Sequence, residues 1–195
     1  MKTPYTTFDK VKDYLGSLDS GLEDAVETWI EGISRRMDQM ANRLLVIDTI
    51  GSGEDTPIKY YDGNGRNRLT IDEVQTIEKV EIGDANGENF SEESNFIKYP
   101  ANVPHYELVL KSGYFPCGIQ NVKVTGDFGL FEDVPKDIEL ACTILVAGII
   151  INRNSSGQVS SEKIGNYSVS YDTDQGKQDY QYALDTVSSY RRQSF

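Results

Sequence analysis

The sequence predicts an α+β protein in which a small bundle of about four helices surrounds a central apolar helix. An antiparallel β-rich insertion is expected between the second and third helices. Three observations support this fold class: an apolar run at 138–151, amphipathic helical spacing before residue 45, and short alternating runs from 45 to 129. A chain of 195 residues suits one domain. We therefore predict a single domain over 1–195, with helical parts at 7–44 and 134–192 and the β-rich insertion at 45–129.

The stretch 134–153 is the element that the rest of the chain has to cover. Between 138 and 151 only Glu139 and Thr143 are strongly polar, and the run is shorter than the roughly 18 apolar residues of a membrane span, so we interpret it as a core helix. Leaving its large aliphatic side chains in water would forfeit about 12–24 kcal/mol, which matches or exceeds the net stability of a typical domain. These eight side chains are Ile138, Leu140, Ile144, Leu145, Val146, Ile149, Ile150 and Ile151. The positions assigned to the core are Ile138, Ala141, Cys142, Leu145 and Ile149.

Three further helices are predicted from caps and apolar spacing. Thr6 or Thr7 can cap a short helix over 8–15. The sequence Ser-Gly-Leu-Glu at 20–23 is a capping-box pattern and predicts the start of a long second helix. The apolar stripe of that helix comprises Leu22, Val26, Trp29 or Ile30, Ile33, Met37, Met40 and Leu44. The last helix is predicted at about 177–192.

The insertion is predicted to be a meander of five or six antiparallel strands. Its short runs are rich in β-branched and aromatic residues and are separated by turn signals. The runs are Ile58–Tyr61, Arg66–Ile71, Thr76–Ile82, Phe96–Tyr99, Tyr106–Lys111 and Asn121–Thr125. We interpret Asn64-Gly65 as the turn of a hairpin that joins the first two runs. A further strand-like run at 167–171 precedes the last helix.

Composition excludes several classes of function. The formal net charge of −12 argues against a general nucleic-acid binder and against an anionic membrane surface. Cys117 and Cys142 lie in unrelated contexts, and with His105 as the one histidine no ordinary metal spacing exists. The N-terminal residues carry no apolar export segment, so we expect a protein made in the cytoplasm.

No catalytic constellation is visible in the sequence, and we predict a protein that is not an enzyme and has no cofactor, no catalytic residue and no bound metal. The stretch 62–73 mimics a calcium loop, but Arg66 and Asn67 occupy places where that loop needs an oxygen ligand and a glycine. His105 opens a predicted strand, and a surface or strand-edge histidine is favoured there over a catalytic base. The carboxylates are scattered rather than paired for acid–base work.

Several segments resemble the head-tail connector (adaptor, or head-completion) proteins of tailed bacteriophages. The resemblance rests first on Val124-Thr125-Gly126-Asp127-Phe128-Gly129, a strand-to-turn segment that leads into the Val-Pro start of the core helix at 134–141. The segments 9–16, 22–43, 164–171 and 184–192 resemble the other parts of the family in the same order. The β-rich insertion is larger than in the all-helical members.

The resemblance implies a connector-like domain that forms a ring of identical subunits beneath the portal, in the neck of a virion. Genome DNA would pass through the ring without sequence-specific binding, and the partners would be the portal protein and a tail or stopper protein, with no membrane. The aromatic and basic C-terminal residues are the candidate portal interface: Tyr190, Arg191, Arg192 and Phe195. Two alternatives stay open, a carbohydrate- or calcium-binding β module and a tail-completion protein.

Overall fold

The computed structural model describes residues 3–47, 56–154, 161–164, 167–170 and 174–192. The chain contains helices and antiparallel strands, so the predicted α+β class is confirmed. The helices are α1 (Phe8–Leu15), α2 (Glu23–Ala41), α3 (Lys136–Asn154) and α4 (Asp174–Ser189). The strands are β1 (Ile58–Tyr61), β2 (Arg68–Ile82), β3 (Ser91–Glu92), β4 (Phe96–Tyr99), β5 (His105–Leu110), β6 (Val122–Phe128), β7 (Ser161–Ile164) and β8 (Tyr167–Ser170).

The chain folds as two compact units. One comprises residues 1–3 and 44–133 and is called the β unit, because it holds β1 to β6. The other comprises residues 4–43 and 134–195 and is called the helical unit, because it holds all four helices together with the small β7–β8 sheet. The single domain over 1–195 stays a prediction.

The β unit is one antiparallel sheet with strand order β1-β6-β2-β5-β4, and β3 pairs with the last residues of β2. The 15-residue β2 organises it, because its first part pairs with β5 and its second part with β6. One face carries the core, as expected for alternating strands. The core residues are Leu69, Ile71, Val74, Ile77, Val80, Leu108, Leu110, Phe115, Val122, Val124 and Phe128.

The predicted hairpin at Asn64-Gly65 is wrong. β6 lies between β1 and β2, so the two strands on either side of this turn are not paired with each other. The Asn64 side chain instead closes the loop locally, since its oxygen accepts from the Arg66 amide at 2.9 Å and its nitrogen donates to the Arg68 carbonyl at 2.8 Å. The predicted meander is wrong for the same reason, because β6, the last strand of the β unit, pairs with β1, the first.

Two glycines, one within β6 and one directly after it, are explained by close backbone approaches. A Cβ on Gly126 would lie 2.1 Å from the Thr76 carbonyl oxygen, at a bulge in the pairing of β6 with β2. A Cβ on Gly129 would lie 2.6 Å from the Ile47 nitrogen. Here the segment 129–131, which follows β6, runs beside 44–47, and the amide of Phe131 donates to the Leu45 carbonyl at 2.9 Å. Neither site has room for a side chain.

The helical unit is organised on α3, which contacts α1, α2 and α4. Most of α3 is buried, from Ile138 to Ile150, as expected for a helix that is apolar on nearly all sides. Two of its eight large aliphatic residues depart from the prediction, because Leu140 and Ile151 are each 42% exposed. Within the described residues no helix is both long and apolar enough to cross a membrane.

The starts of the first two helices illustrate different capping outcomes. Thr7 caps α1 as predicted, accepting a hydrogen bond from the Lys10 amide, and Gly16 ends that helix with a left-handed φ of 77°. The capping box at Ser20 is wrong. Residues Ser20–Leu22 form a short 3-10 turn whose cap is Asp19, which accepts from the Gly21 amide at 2.9 Å. The Glu23 amide, which the Ser20 hydroxyl would have to bind in a capping box, instead donates to the Ser20 carbonyl within this turn.

Candidate functional site

The residues proposed for a portal interface follow α4, and the structure shows how two of them are held. The Tyr190 hydroxyl donates to a carboxylate oxygen of Asp137 at 2.7 Å. This hydrogen bond, together with burial, raises the pKa of Tyr190 to about 12. The Arg192 amide donates to the carbonyl of Ala41, the last residue of α2, at 2.9 Å. Arg191 is exposed, and Phe195 lies outside the described residues.

The core positions assigned in α3 all lie inside the helical unit. Ile138, Ala141, Cys142, Leu145 and Ile149 are each no more than 8% exposed. The Cys142 thiol lies 3.7 Å from the Ser34 hydroxyl, and burial raises its pKa to about 12. Because a nucleophilic cysteine needs a thiolate, this residue acts as a small apolar side chain.

Polar ties join the helices of the helical unit to one another. The Lys10 ammonium bonds the Glu139 carboxylate, which links α1 to α3, and this contact is the main reason why the pKa of Glu139 lies below its ordinary value. The Tyr14 hydroxyl donates to Asp179 at 3.0 Å and links α1 to α4. Burial, reinforced by that bond, raises the pKa of Tyr14 to about 12. These polar groups serve the unit's own fold.

The solvent face of the β sheet carries two aromatic clusters that the sequence analysis missed. In the first, the Tyr60 and Phe90 rings meet edge to face at 6.4 Å, and the Lys123 ammonium lies 4.1 Å from the Phe90 centroid. In the second, Tyr99 and Tyr106 meet edge to face at 6.1 Å. Both clusters begin at an outermost strand of the sheet, β1 or β4. The sequence signal that could have revealed these clusters is the Ile-Lys-Tyr run in β1 and in β4, where the isoleucine and the tyrosine occupy alternate, exposed positions.

Three loops converge at the end of the sheet where β1 and β2 finish and β6 begins. Asn121, which is fully buried, holds them together: its side chain accepts from the Gly63 amide at 2.7 Å and donates to the Pro116 carbonyl at 2.9 Å. Next to this junction is a recess of about 410 Å³, lined by Tyr60, Ala85, Asn86, Gly87, Ile119 and Gln120. Ile119, at its rim, is 73% exposed.

The residues that mimic a calcium loop are used for other purposes. A carboxylate oxygen of Asp62 accepts from the Gln120 amide at 2.7 Å, and Glu73 lies within β2. Across the described residues, no group of three or more acidic, histidine or cysteine side chains is placed to hold a metal ion. This region therefore offers no metal-binding geometry in the structure.

His105 is buried, which corrects the prediction of a surface or strand-edge histidine. It is 7% exposed at the start of β5, an interior strand of the sheet. Its Nδ1 lies 2.8 Å from the Pro100 carbonyl oxygen. Because a carbonyl can only accept, Nδ1 carries the proton and donates it. The residue thus fixes the loop that joins β4 to β5.

Comparison with known proteins finds similarity in structure alone. No family model matches the sequence, and no curated protein matches it. A chain from the neck of an empty gene transfer agent (GTA) particle, computed with C6 symmetry, superposes with a TM-score of 0.62 at 11% identity, over 96% of this chain and 89% of that one. A chain from the virion of a native GTA particle gives a TM-score of 0.60 at 13% identity, over 96% and 89%.

A third similar chain comes from the neck of a native GTA particle computed with C12 symmetry. Its TM-score is 0.50 at 10% identity, over 100% of this chain and 97% of that one. The likeness thus extends over at least 96% of this chain and at least 89% of the other chain in each of these comparisons. The protein has a fold found in the neck of a phage-like particle, as the resemblance predicted.

Proposed function

We propose that this protein is a structural virion protein, a head-tail connector that forms a ring below the portal in the neck of a phage particle. One observation carries the proposal: the fold agrees over 96% of the chain with a protein from the neck of a GTA particle. A shared fold alone does not define function, but here the segments that resemble the connector family support the same assignment. We also propose that the four helices form a bundle around α3, as the sequence predicts.

The protein acts by assembly and not by catalysis. Its buried or shifted polar groups, such as Glu139, Tyr190 and Cys142, bond to the protein's own side chains instead of meeting in a cleft. A connector needs surfaces for neighbours, and the exposed aromatic clusters of the β sheet supply such surfaces.

The ring is expected to be a dodecamer. The similar necks were computed with C6 and with C12 symmetry. A ring of twelve copies satisfies both symmetries, because a twelvefold axis contains a sixfold axis. Closed cyclic rings are a common form of assembly for identical subunits that bind head to tail.

Passage of DNA is compatible with the charge of the chain. The β unit has 8 basic and 16 acidic residues, so it carries −8 of the net −12. A negative wall repels phosphate groups, which keeps a duplex from adhering as it moves through a channel. Binding of the protein surface to DNA without sequence specificity would require a positive charge.

The portal and a tail or stopper protein are the proposed partners. Arg191 is the best candidate contact at the C-terminal end because it is exposed, whereas the Tyr190 hydroxyl is bonded to Asp137. We expect Arg191→Glu to weaken portal binding without changing the melting temperature. Lys12→Glu, an exposed cation on α1, is the matched control. Equal portal affinity in both variants and the parent would remove the C-terminal residues from the interface.

The function is tested by mixing the purified protein with its cognate portal protein and imaging the products by electron microscopy. The expected result is an added ring of protein on the tail-facing end of the portal, with the symmetry of a closed ring. Addition to a tail tube in place of the portal would favour a tail-completion protein. Binding to neither would refute the connector. Melting temperatures measured with calcium and with simple sugars test the β-module alternative, which predicts a rise.

A further inference from the structure

The two outermost strands of the β sheet carry the same exposed tripeptide. β1 contains Ile58-Lys59-Tyr60 and β4 contains Ile97-Lys98-Tyr99. In both strands the isoleucine and tyrosine are about half exposed, at 52% and 50% in β1 and at 50% and 46% in β4. Among the described residues, no strand pairs with the outer edge of either. The sheet therefore ends in two similar edges.

Each edge tyrosine is held in place by an aromatic ring and a cation. Lys123 lies 5.8 Å from the Tyr60 centroid, and Phe90 meets that ring edge to face. The guanidinium carbon of Arg68 lies 5.1 Å from the Tyr99 centroid, and Tyr106 supplies the second ring. Rings held in this way lose little freedom on binding, which favours their use as interface anchors.

The lysine of each tripeptide is drawn back to its own sheet. The Lys59 ammonium bonds Asp72 at 2.8 Å and lies 4.6 Å from the Phe128 centroid. The Lys98 ammonium lies 3.4 Å from the Ile77 carbonyl oxygen. Edge lysines often protect a sheet against pairing by projecting a charge at the edge. Here both charges are engaged within the β unit, so they do not block the approach of another strand.

Strand direction fits the two edges to each other. The pairs β1–β6, β6–β2, β2–β5 and β5–β4 are all antiparallel, so β1 and β4 run in the same direction. A second copy that continues the sheet would place its β4 parallel to β1. Ile97 of one copy then lies beside Ile58 of the next, and Tyr99 beside Tyr60, with all four on the same face.

The residues opposite the tyrosines carry charged side chains. Within one copy, Tyr99 is opposite Glu107 on β5, and Tyr60 is opposite Lys123 on β6. In a continued sheet the row across the joint would run glutamate, tyrosine, tyrosine, lysine. Glu107 is already paired with Arg68 within its own copy, so the fit of the two edges rests on strand direction and on the shared face of the isoleucines and tyrosines.

We propose that β4 of one subunit pairs with β1 of the next, so that the β sheets of neighbouring copies form one continuous sheet. The partner is a second copy of this chain, and the joint is heterologous, which is the kind of contact that closes into a ring. The inference rests on the proposed connector function and identifies the surface through which its ring would form.

Cysteine cross-linking tests the joint. Adjacent strands lie about 4.8 Å apart, within the Cα separation of a disulfide. The parent is Cys117→Ser, because Cys117 is exposed, whereas Cys142 is buried and stays unchanged. The test variant adds Ile58→Cys and Ile97→Cys. Assembled on portal and oxidised, it should give a ladder of covalent multimers up to the full ring, at least tenfold more abundant than in the control.

The matched control pairs Ile97→Cys with Ile119→Cys, because Ile119 is exposed but lies in a loop. Each single variant should give no covalent dimer, and a mixture of the two singles should give dimers alone. Circular dichroism and melting temperature verify that each variant keeps the fold.

Four outcomes would overturn the joint. Rings visible on the portal without the ladder would refute the edge pairing and leave the connector function intact. Dimers in a single variant, or an equally abundant ladder in the Ile119 control, would also refute it. If no ring forms on portal even with the parent, the connector function itself fails, and the edge pairing fails with it.

Discussion

The helical unit and the β unit use their polar and aromatic side chains in different ways. In the helical unit, tyrosine hydroxyls and lysines bond to carboxylates on other helices, as Tyr14 does with Asp179 and Tyr190 with Asp137. In the β unit, Tyr60 and Tyr99 stand on the solvent face with only their rings engaged. In the first unit these hydroxyls are hydrogen-bonded within the fold, whereas the second unit presents apolar rings on its solvent face.

Exposed apolar residues follow the same division. Of the large hydrophobic side chains that are exposed in the described residues, eight lie in the β unit: Ile58, Tyr60, Ile97, Tyr99, Val103, Tyr106, Tyr114 and Ile119. The helical unit exposes five such residues: Tyr14, Leu22, Leu140, Ile151 and Tyr182. Because the β unit also carries most of the negative charge, it combines long-range repulsion with local apolar contact, which suits ordered assembly over aggregation.

The largest expected effect tests whether α3 is the centre of the helical unit. Leu145→Ala should lower the free energy of unfolding by about 2–5 kcal/mol, because it leaves a cavity at a residue that is 3% exposed. Leu140→Ala is the control on the same helix, where 42% exposure limits the loss to below about 1 kcal/mol. Denaturant titration measures both. Equal losses would contradict the central position of α3.

A pair of glycine substitutions should have opposite signs in the two units. Gly126→Ala should destabilise the protein by about 1–3 kcal/mol, because its methyl group would meet the Thr76 carbonyl oxygen. Gly32→Ala, in the middle of α2, should stabilise it by about 0.5–1 kcal/mol, since nothing lies within 4 Å of the new methyl group. Thermal melts compare them. Tolerance at position 126 would disprove the close approach of β2 and β6.

Alkaline pH should weaken the helical unit. The raised pKa values of Tyr14 and Tyr190, about 12 each against an ordinary value of 10, mean that the folded state keeps protons that the unfolded chain releases. The free energy of unfolding should be unaffected below pH 10 and fall as the pH rises from 10 to 12. The double variant Tyr14→Phe/Tyr190→Phe should lose most of this decline in denaturant titrations at each pH.

The matched control for the alkaline decline is Tyr114→Phe, because that side chain is 64% exposed in the β unit. It should retain the decline seen in the parent. If the double variant declined as steeply as Tyr114→Phe, the hydrogen bonds to Asp179 and Asp137 would not be the cause.

The smallest effect on the isolated chain is expected at the sheet edge. Ile97→Lys should change the free energy of unfolding by less than about 0.5 kcal/mol, because the side chain is half exposed. It should nevertheless weaken ring formation on portal, because a charge would enter the proposed joint. Ile119→Lys is the control and should assemble normally. Light scattering and microscopy report assembly, and normal rings with Ile97→Lys would count against the joint.

The helices could be read from the sequence more fully than the sheet. α1 agrees with its predicted bounds of 8–15, and α2 and α3 agree to within a few residues, because helical hydrogen bonds join residues four apart. The strands at 58–61 and 96–99 also agree, because alternation is a local signal. The predicted runs 66–71 and 76–82 proved to be one strand, β2, whose bulges bend the pairing and interrupt that alternation.

The errors share a physical cause. The Asn64-Gly65 turn had good local chemistry for a hairpin, but the partner of β1 is β6, more than fifty residues away. A turn sequence indicates that the chain reverses direction, but it does not indicate which strand will pair with the strand before the turn. Likewise, the buried role of Asn121 in joining three loops follows from contacts with residues 5 and 58 positions away, which no local pattern encodes.

The sequence by itself determined the α+β class, the core helix and the acidic character, because composition and periodicity are properties of neighbouring residues. The tertiary structure alone decided the strand order, the requirement for glycine at 126 and 129, and the likeness of the edges at β1 and β4. Those features depend on which distant segments come into contact. Such contacts are selected by the packing of the whole sheet, where one face is buried and every interior strand must find two partners.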